Sequence, residues 1–268
     1  MNSFIRTILL YSTAAVATIV LGSTVIIAAL LGVKDGPNSI YDKVPKWWSA
    51  AVMFVVGVRI RVHGMENAGG GEPRIFASNH VSWFDVPSLA KTLPNNRFVA
   101  KAELFKVPVF GRAMRATGMI EIQRENRKAA FGAYEFAAER IRGGKSVVVF
   151  PEGTRGNAYP LRPFKKGPFV LAIAAGVPIV PIILHGTIEI MPKGTLWVHS
   201  GTIDIHLLEP VSTTGVDYDH RDALMNTVRA RMAEAMRDLY GIEALPATSP
   251  RLPSVEMVSS ETNPTETR

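Results

Sequence analysis

Residues 79–85 read Asn79-His80-Val81-Ser82-Trp83-Phe84-Asp85, and residues 150–155 read Phe150-Pro151-Glu152-Gly153-Thr154-Arg155. In the first segment an imidazole stands five positions before a carboxylate, just past a short apolar run. Histidine ionises near neutrality and is the usual side chain for taking a proton from a hydroxyl. A carboxylate against the ring fixes its tautomer and stabilises the imidazolium that forms. The second segment follows residues 146–150, a β-branched run of the kind buried on both faces of a parallel sheet. Loops after such strands are where ligands bind. Gly153 lets the backbone approach a ligand closely. Arg155 offers a planar fork suited to phosphate, and Glu152 can accept hydrogen bonds from substrate hydroxyls. A proton acceptor beside an anion-holding turn suggests acyl transfer to a phosphorylated alcohol.

Each segment alone also has a plainer reading. Ser82 and Asp85 fit the Ser-x-x-Asp box that caps a helix start, and residues 152–155 fit a solvated turn with a Glu–Arg pair. Other chemistries fail on composition or spacing. The chain has no cysteine, which removes thiol nucleophiles, disulfides and Cys-ligated zinc. There is no Gly-x-Ser-x-Gly elbow and no His-Glu-x-x-His pair. Gly144-Lys145-Ser146 resembles the end of a P-loop, but Glu139 stands where that motif needs glycine and the segment precedes a strand. The simplest chemistry left is a dyad, in which His80 deprotonates the substrate's own hydroxyl for direct attack on an acyl donor. Lys101, Arg124, Lys165 and Lys166 are further candidates for holding an anion. Lys106, Arg112 and Arg115 form a basic patch of the kind that faces a membrane. His63, His185, His199, His206 and His220 show no ligand-like grouping in sequence and are read as structural; no metal site is expected.

These segments need a scaffold and a place. No charge interrupts residues 7–33, between Arg6 and Lys34. About 20 helical residues cross the ~30 Å hydrocarbon core, and a signal peptide's apolar run is shorter, about 7–15 residues, so a membrane helix is expected here. A second apolar stretch, residues 47–58, opens on Trp47 and Trp48, with Lys43 and Lys46 before it and Arg59 and Arg61 after. It reads as an interfacial or re-entrant helix with its indoles at headgroup level, or else as a buried helix or strand of the main domain. Hydrophobic residues make up 47 % of the chain and the net charge is +7. That balance fits anionic lipid headgroups or acidic ligands; no nucleic-acid-binding motif accompanies it. Strands are expected near residues 73–78, 97–100, 119–122, 146–150 and 195–208, with an edge or irregular strand at 177–184 because of Pro178 and Pro181. Helices are expected at 87–93, 126–142, 167–175 and 219–240. Strands alternating with helices argue for an α/β fold with a mostly parallel central sheet flanked by helices, carrying an N-terminal membrane helix or two-helix membrane motif. The expected division is residues 1–62 for the membrane helices, 63–244 for the α/β domain, and 245–268 for a disordered tail rich in Pro, Ser, Thr and Glu.

Four blocks in this order resemble the 1-acylglycerol-3-phosphate O-acyltransferases, the lysophosphatidic acid acyltransferases of the glycerolipid acyltransferase superfamily. They are Asn79-His80-x-Ser82-x-x-Asp85, residues 118–124, residues 150–155 and residues 177–182; the resemblance covers residues 47–210. It implies His80 as general base and Asp85 as its partner. It implies Lys101 and Arg155 as ligands of the glycerol phosphate, with Arg124, Glu152, Gly153 and Thr154 shaping that pocket, and residues 177–182 lining the acyl or acyl-donor side. The implied reaction carries a fatty acyl group from acyl-CoA or acyl-carrier protein to the sn-2 hydroxyl of 1-acyl-sn-glycerol 3-phosphate, with no bound cofactor, at a membrane. The expected location is the inner membrane of a bacterium, with the site on the cytoplasmic face. The second block departs from the family's Phe-Ile-Asp-Arg ending, reading Glu121-Ile122-Gln123-Arg124. An enzyme acylating another lysolipid, such as lyso-ornithine lipid, would carry the same base and turn. A non-catalytic lipid-binding protein and a thioester hydrolase are the competing readings.

Overall fold

The structure, a computed structural model, describes residues 2–122 and 137–246. Seven strands form one sheet in the order β1-β7-β6-β2-β5-β3-β4: β1 (Val58–His63), β2 (Ile75–Ser78), β3 (Asn96–Lys101), β4 (Ile120–Ile122), β5 (Ser146–Val149), β6 (Ile179–His185) and β7 (Gly201–Leu207). Strands β6, β2, β5, β3 and β4 pair in parallel; β7 joins β6 antiparallel, and β1 pairs in parallel with β7. The α-helices that lie wholly within the described residues are α1 (Ser3–Leu30), α2 (Ile40–Val56), α3 (Asp85–Thr92), α4 (Phe110–Ala116), α5 (Gly167–Ala175), α6 (Thr187–Ile190) and α7 (Arg221–Tyr240).

Alternating side chains divide the sheet between two cores. Phe76, Val148, Val180 and Ile182 face a cluster that takes in Leu10 of α1, Val52, Met53 and Val56 of α2, and Leu89 of α3. Ile75, Val147, Val149, Ile179 and Ile183 face a second cluster with Phe169 and Leu171 of α5 and Leu224, Val228, Met232 and Met236 of α7. The molecule is thus three layers, with the N-terminal hairpin as part of one outer layer. A boundary at residue 62 would cut through β1, paired with β7 from Val58↔Gly201 to His63↔His206. The apolar stretch expected at 47–58 forms the second half of α2, which begins earlier and ends at Gly57, left-handed at φ +78°.

The α1–α2 hairpin is fixed at both ends. At one end Ser3 Oγ donates to the Val198 carbonyl at 2.8 Å, and the Arg6 guanidinium donates to the Val56 carbonyl. At the other, Asp35 and Asp42 face two buried cations: Arg97 lies 3.1 Å from Asp35 and 2.8 Å from Asp42, and Lys145 lies 2.9 Å and 3.1 Å from them. Burial raises the Asp35 pKa, but the Lys145 hydrogen bond and the nearby Arg97 charge outweigh it and hold the carboxyl below its ordinary value. Lys145, whose segment fails as a P-loop, therefore has a structural partner set.

Two expectations change. Residues 177–184 are expected as an edge or irregular strand; β6 is not at an edge but lies between β2 and β7, and its ladder to β7 stops at Ile182. Pro181 accepts a bond from Leu208 N–H at 2.9 Å, so its missing N–H faces the same side. There the β7 ladder has ended and residues 208–211 continue only as an isolated bridge at Ile179↔Val211. The gap in the ladder accommodates the proline. Leu245, expected to begin the tail, donates its N–H to the Leu161 carbonyl at 3.0 Å. The remaining tail, and residues 123–136 with Arg124 and the first part of the helix expected at 126–142, lie outside the described residues; residues 137–142 are helical.

Candidate active site

Strands β2 and β5 are neighbours, and their onward connections leave on opposite faces, β2 through α3 and β5 through α5. Such a divergence opens a crevice at the carboxyl ends of the strands. Both sequence segments meet there.

Asn79, fully buried after β2, clips the turn to β6: its amide donates to the Leu184 carbonyl at 2.9 Å and accepts from Leu184 N–H at 2.8 Å. His80 follows, with Nδ1 2.7 Å from Asp85 Oδ2. That one oxygen also accepts the N–H groups of Val81 at 2.7 Å and Ser82 at 2.8 Å. An oxygen receiving two backbone donors is a carboxylate oxygen, so Nδ1 carries the proton and Nε2 is left as the basic nitrogen. The capping reading and the dyad reading are both true, since Asp85 opens α3 and orients the imidazole with the same atom. Its other oxygen is buried without a partner among the described residues. The imidazole face stacks on Phe150, centroids 4.0 Å apart.

The 150–156 turn grips His80 from the other side. Glu152 Oε1 accepts the His80 N–H at 3.0 Å, and Gly156 N–H donates to the His80 carbonyl at 2.7 Å. Glu152 Oε2 accepts Arg162 Nε at 2.8 Å, and Arg162 also donates to Thr154 Oγ1 at 3.2 Å and to the Thr154 carbonyl. Glu152 was expected to accept from substrate hydroxyls. Instead it is a buried strut between the base's backbone and Arg162, with both oxygens engaged. Gly153 takes φ +81° to make the turn.

A cavity of about 610 Å³ opens beside His80. Its wall is mainly apolar, with Leu21 of α1, Trp48 of α2, Trp83, Phe98 and Met119 among the lining residues, while Lys101, Thr154, Arg155 and Lys193 share the lining with His80. Among the described residues, the Lys101 and Arg155 side chains form no ion pair or hydrogen bond. Lys193 donates to the Arg155 carbonyl at 2.9 Å. Sequence reasoning missed Lys193 and Arg162: neither lies in a motif, and only the fold brings them to the turn. Of the other cation candidates, Lys166 pairs with Asp222 at 2.7 Å, and neither it nor Lys165 lines the cavity.

One histidine expectation is corrected. His63, Asp204 and His206 do group, with ligand-type atoms within 4.8 Å of one another on β1 and β7. Asp204 is taken by Arg61 through two 2.7 Å bonds, His63 Nε2 lies 3.3 Å away, and His206 Nε2 is 2.7 Å from the Tyr240 hydroxyl. The Arg61 hydrogen bond, opposed by burial, holds the Asp204 carboxyl below its ordinary pKa. Burial and the neighbouring His63 lower His206, and burial raises Tyr240 to about 12. None of the three lines the cavity beside His80.

Residues 59–185 match the Acyltransferase family model. The human 1-acyl-sn-glycerol-3-phosphate acyltransferase alpha is 33 % identical over 70 % of this chain and 67 % of its own length. The chain belongs to the 1-acyl-sn-glycerol-3-phosphate acyltransferase family. The chloroplastic family member BAT2 of Brassica napus is 32 % identical over 72 % of this chain but 55 % of its own length. The match thus spans about half of that longer family member. The crystal structure of the LPA acyltransferase PlsC from Thermotoga maritima superposes with a TM-score of 0.75, covering 88 % of this chain and 95 % of that one at 24 % identity; it shares the fold.

Proposed function

We propose that this protein is a membrane-bound O-acyltransferase that moves a fatty acyl group from a thioester, acyl-CoA or acyl-carrier protein, to the sn-2 hydroxyl of 1-acyl-sn-glycerol 3-phosphate, giving phosphatidate. The observation that carries it is the 2.7 Å His80–Asp85 contact at the end of an apolar cavity that also holds Lys101 and Arg155, whose side chains have no ion-pair partner among the described residues. The lysolipid phosphate sits against Lys101, Arg155 and Lys193. His80 Nε2 takes the proton of the sn-2 hydroxyl as its oxygen attacks the thioester carbonyl. The tetrahedral intermediate collapses, the C–S bond breaks, and the imidazolium returns the proton to the leaving thiolate. Asp85 stabilises the imidazolium throughout. The apolar cavity receives an acyl chain.

The setting follows from α1. It is 28 residues long with no charge after Arg6, about 42 Å of helix at ~1.5 Å per residue, yet it touches the α/β domain at both ends. A helix crossing the bilayer would carry one end away from a domain on one side. We therefore read the hairpin as lying in the lipid along the domain, on the cytoplasmic face of a bacterial inner membrane, where both acyl donors occur. Purified protein with labelled acyl donor of each type and a panel of lysolipids, including lyso-ornithine lipid, tests the proposal. Labelled phosphatidate as the main product supports it; free fatty acid alone, or preference for an acceptor lacking phosphate, contradicts it.

A further inference from the structure

Residues 191–200, between α6 and β7, hold two large apolar side chains outward: Leu196 is 70 % exposed and Trp197 51 %. The loop is not loose. Val198 between them and β7 is fully buried in the core beneath α1. Its N–H donates to Thr7 Oγ1 at 3.1 Å, and its carbonyl accepts from Ser3 Oγ. Tyr11 hydroxyl lies 3.4 Å from the Leu196 carbonyl, and the Trp197 ring meets Phe4 with centroids 6.1 Å apart. Phe4, Ile8 and Tyr11, at helical spacing on α1, are themselves exposed. The loop and the start of α1 therefore share a continuous apolar surface, and a net charge of +7 suits an anionic lipid face. At its other end the same loop carries Lys193 to the Arg155 carbonyl at the cavity.

We propose that residues 192–199 form a second membrane contact, a lip whose Leu196 and Trp197 seat in the interfacial layer of the bilayer beside α1. An indole suits that layer, where one edge is apolar and the other wet. The seated lip holds Lys193 and the cavity mouth at headgroup height. The occupant is lipid because the patch continues the exposed face of the apolar helix, not because it is apolar alone. The inference rests on the reading of α1 as a membrane helix, and the experiment separates the two.

The chain has no cysteine, so single labels are simple to place. An environment-sensitive fluorophore is attached to Leu196→Cys, to Val16→Cys on the exposed face of α1, and to Thr214→Cys, exposed near the opposite end of β6. Each full-length protein is mixed with vesicles of phosphatidylcholine containing phosphatidylglycerol, with and without spin-labelled lipid. The lip predicts blue-shifted, quenched emission at 196 and 16 and water-like emission at 214. A lipid-like 16 with a water-like 196 overturns the lip and leaves the membrane helix standing. Water-like emission at both overturns both. A shift at 196 that grows with protein concentration without vesicles assigns the patch to a second copy and overturns the lip. The Leu196→Ser/Trp197→Ser variant is expected to raise KM for vesicle-borne acceptor about tenfold while leaving turnover in detergent micelles unchanged; equal loss in both settings contradicts it.

Discussion

Two histidine–aspartate pairs on opposite parts of one sheet differ in almost everything except their residue types. His80 and Asp85 are 2.7 Å apart; His63 and Asp204 are 3.3 Å apart. Asp85 is fully buried and held by two backbone N–H groups, so its charge is free to orient the imidazole. Asp204 is already neutralised by Arg61. His80 opens onto a cavity that Lys101 and Arg155 also line, whereas the His63 side chain is half exposed on the edge strand β1. Contact between the two residue types therefore does not make a base. We propose that what makes one is a carboxylate with no cation beside it among the described residues, a fixed tautomer and a place for substrate.

This contrast can be broken at several points. Asp85→Asn should have the largest effect, because an amide can turn its NH₂ toward Nδ1 and reverse the tautomer; we expect kcat for acyl transfer to fall by about 10²–10⁴, measured by steady-state formation of labelled phosphatidate. Arg155→Ala should raise KM for lysophosphatidate about 10–100-fold, the loss of a charge-assisted bond of ~1.5–3 kcal/mol, with little change in KM for the acyl donor. Arg162→Ala leaves the buried Glu152 carboxylate without its cation and should destabilise the fold by about 1–3 kcal/mol, read in urea unfolding, and lower kcat as His80 loosens. Asp204→Asn should leave kcat within about twofold, since Asp204 lies outside the cavity lining. Its effect is on pH-dependent stability. The folded Asp204 pKa is depressed, so its contribution is full above the ordinary carboxylate range, near pH 4, and is lost as pH falls through the folded value. Parent and variant unfolding curves should therefore differ at neutral pH and converge in acid.

The same contrast explains what the sequence could and could not convey. His80 and Asp85 are five residues apart, so local spacing announced them, as the uncharged run announced α1 and the Ser-Val-Val-Val run announced β5. His63 and Asp204 are 141 positions apart, joined only through the β1–β7 register, and no local pattern links them. Glu152 was legible as a residue of the turn but not in its role, because the direction of a turn side chain depends on what the fold supplies, here the His80 N–H and Arg162. Lys193 sits 38 positions from Arg155 in a loop without a motif. Pro178 and Pro181 pointed to an edge or irregular strand, because sequence cannot show that the neighbouring ladder ends beside Pro181.

The central claim is that His80 Nε2 takes the acceptor's proton. The most direct measurement is single-turnover acyl transfer by His80→Ala, saturated with lysophosphatidate and labelled donor, alongside vesicle co-sedimentation and thermal unfolding. The account predicts a rate about 10²–10⁴ lower with membrane binding and folding retained. A folded, vesicle-bound His80→Ala protein transferring acyl groups at the parent rate would contradict it.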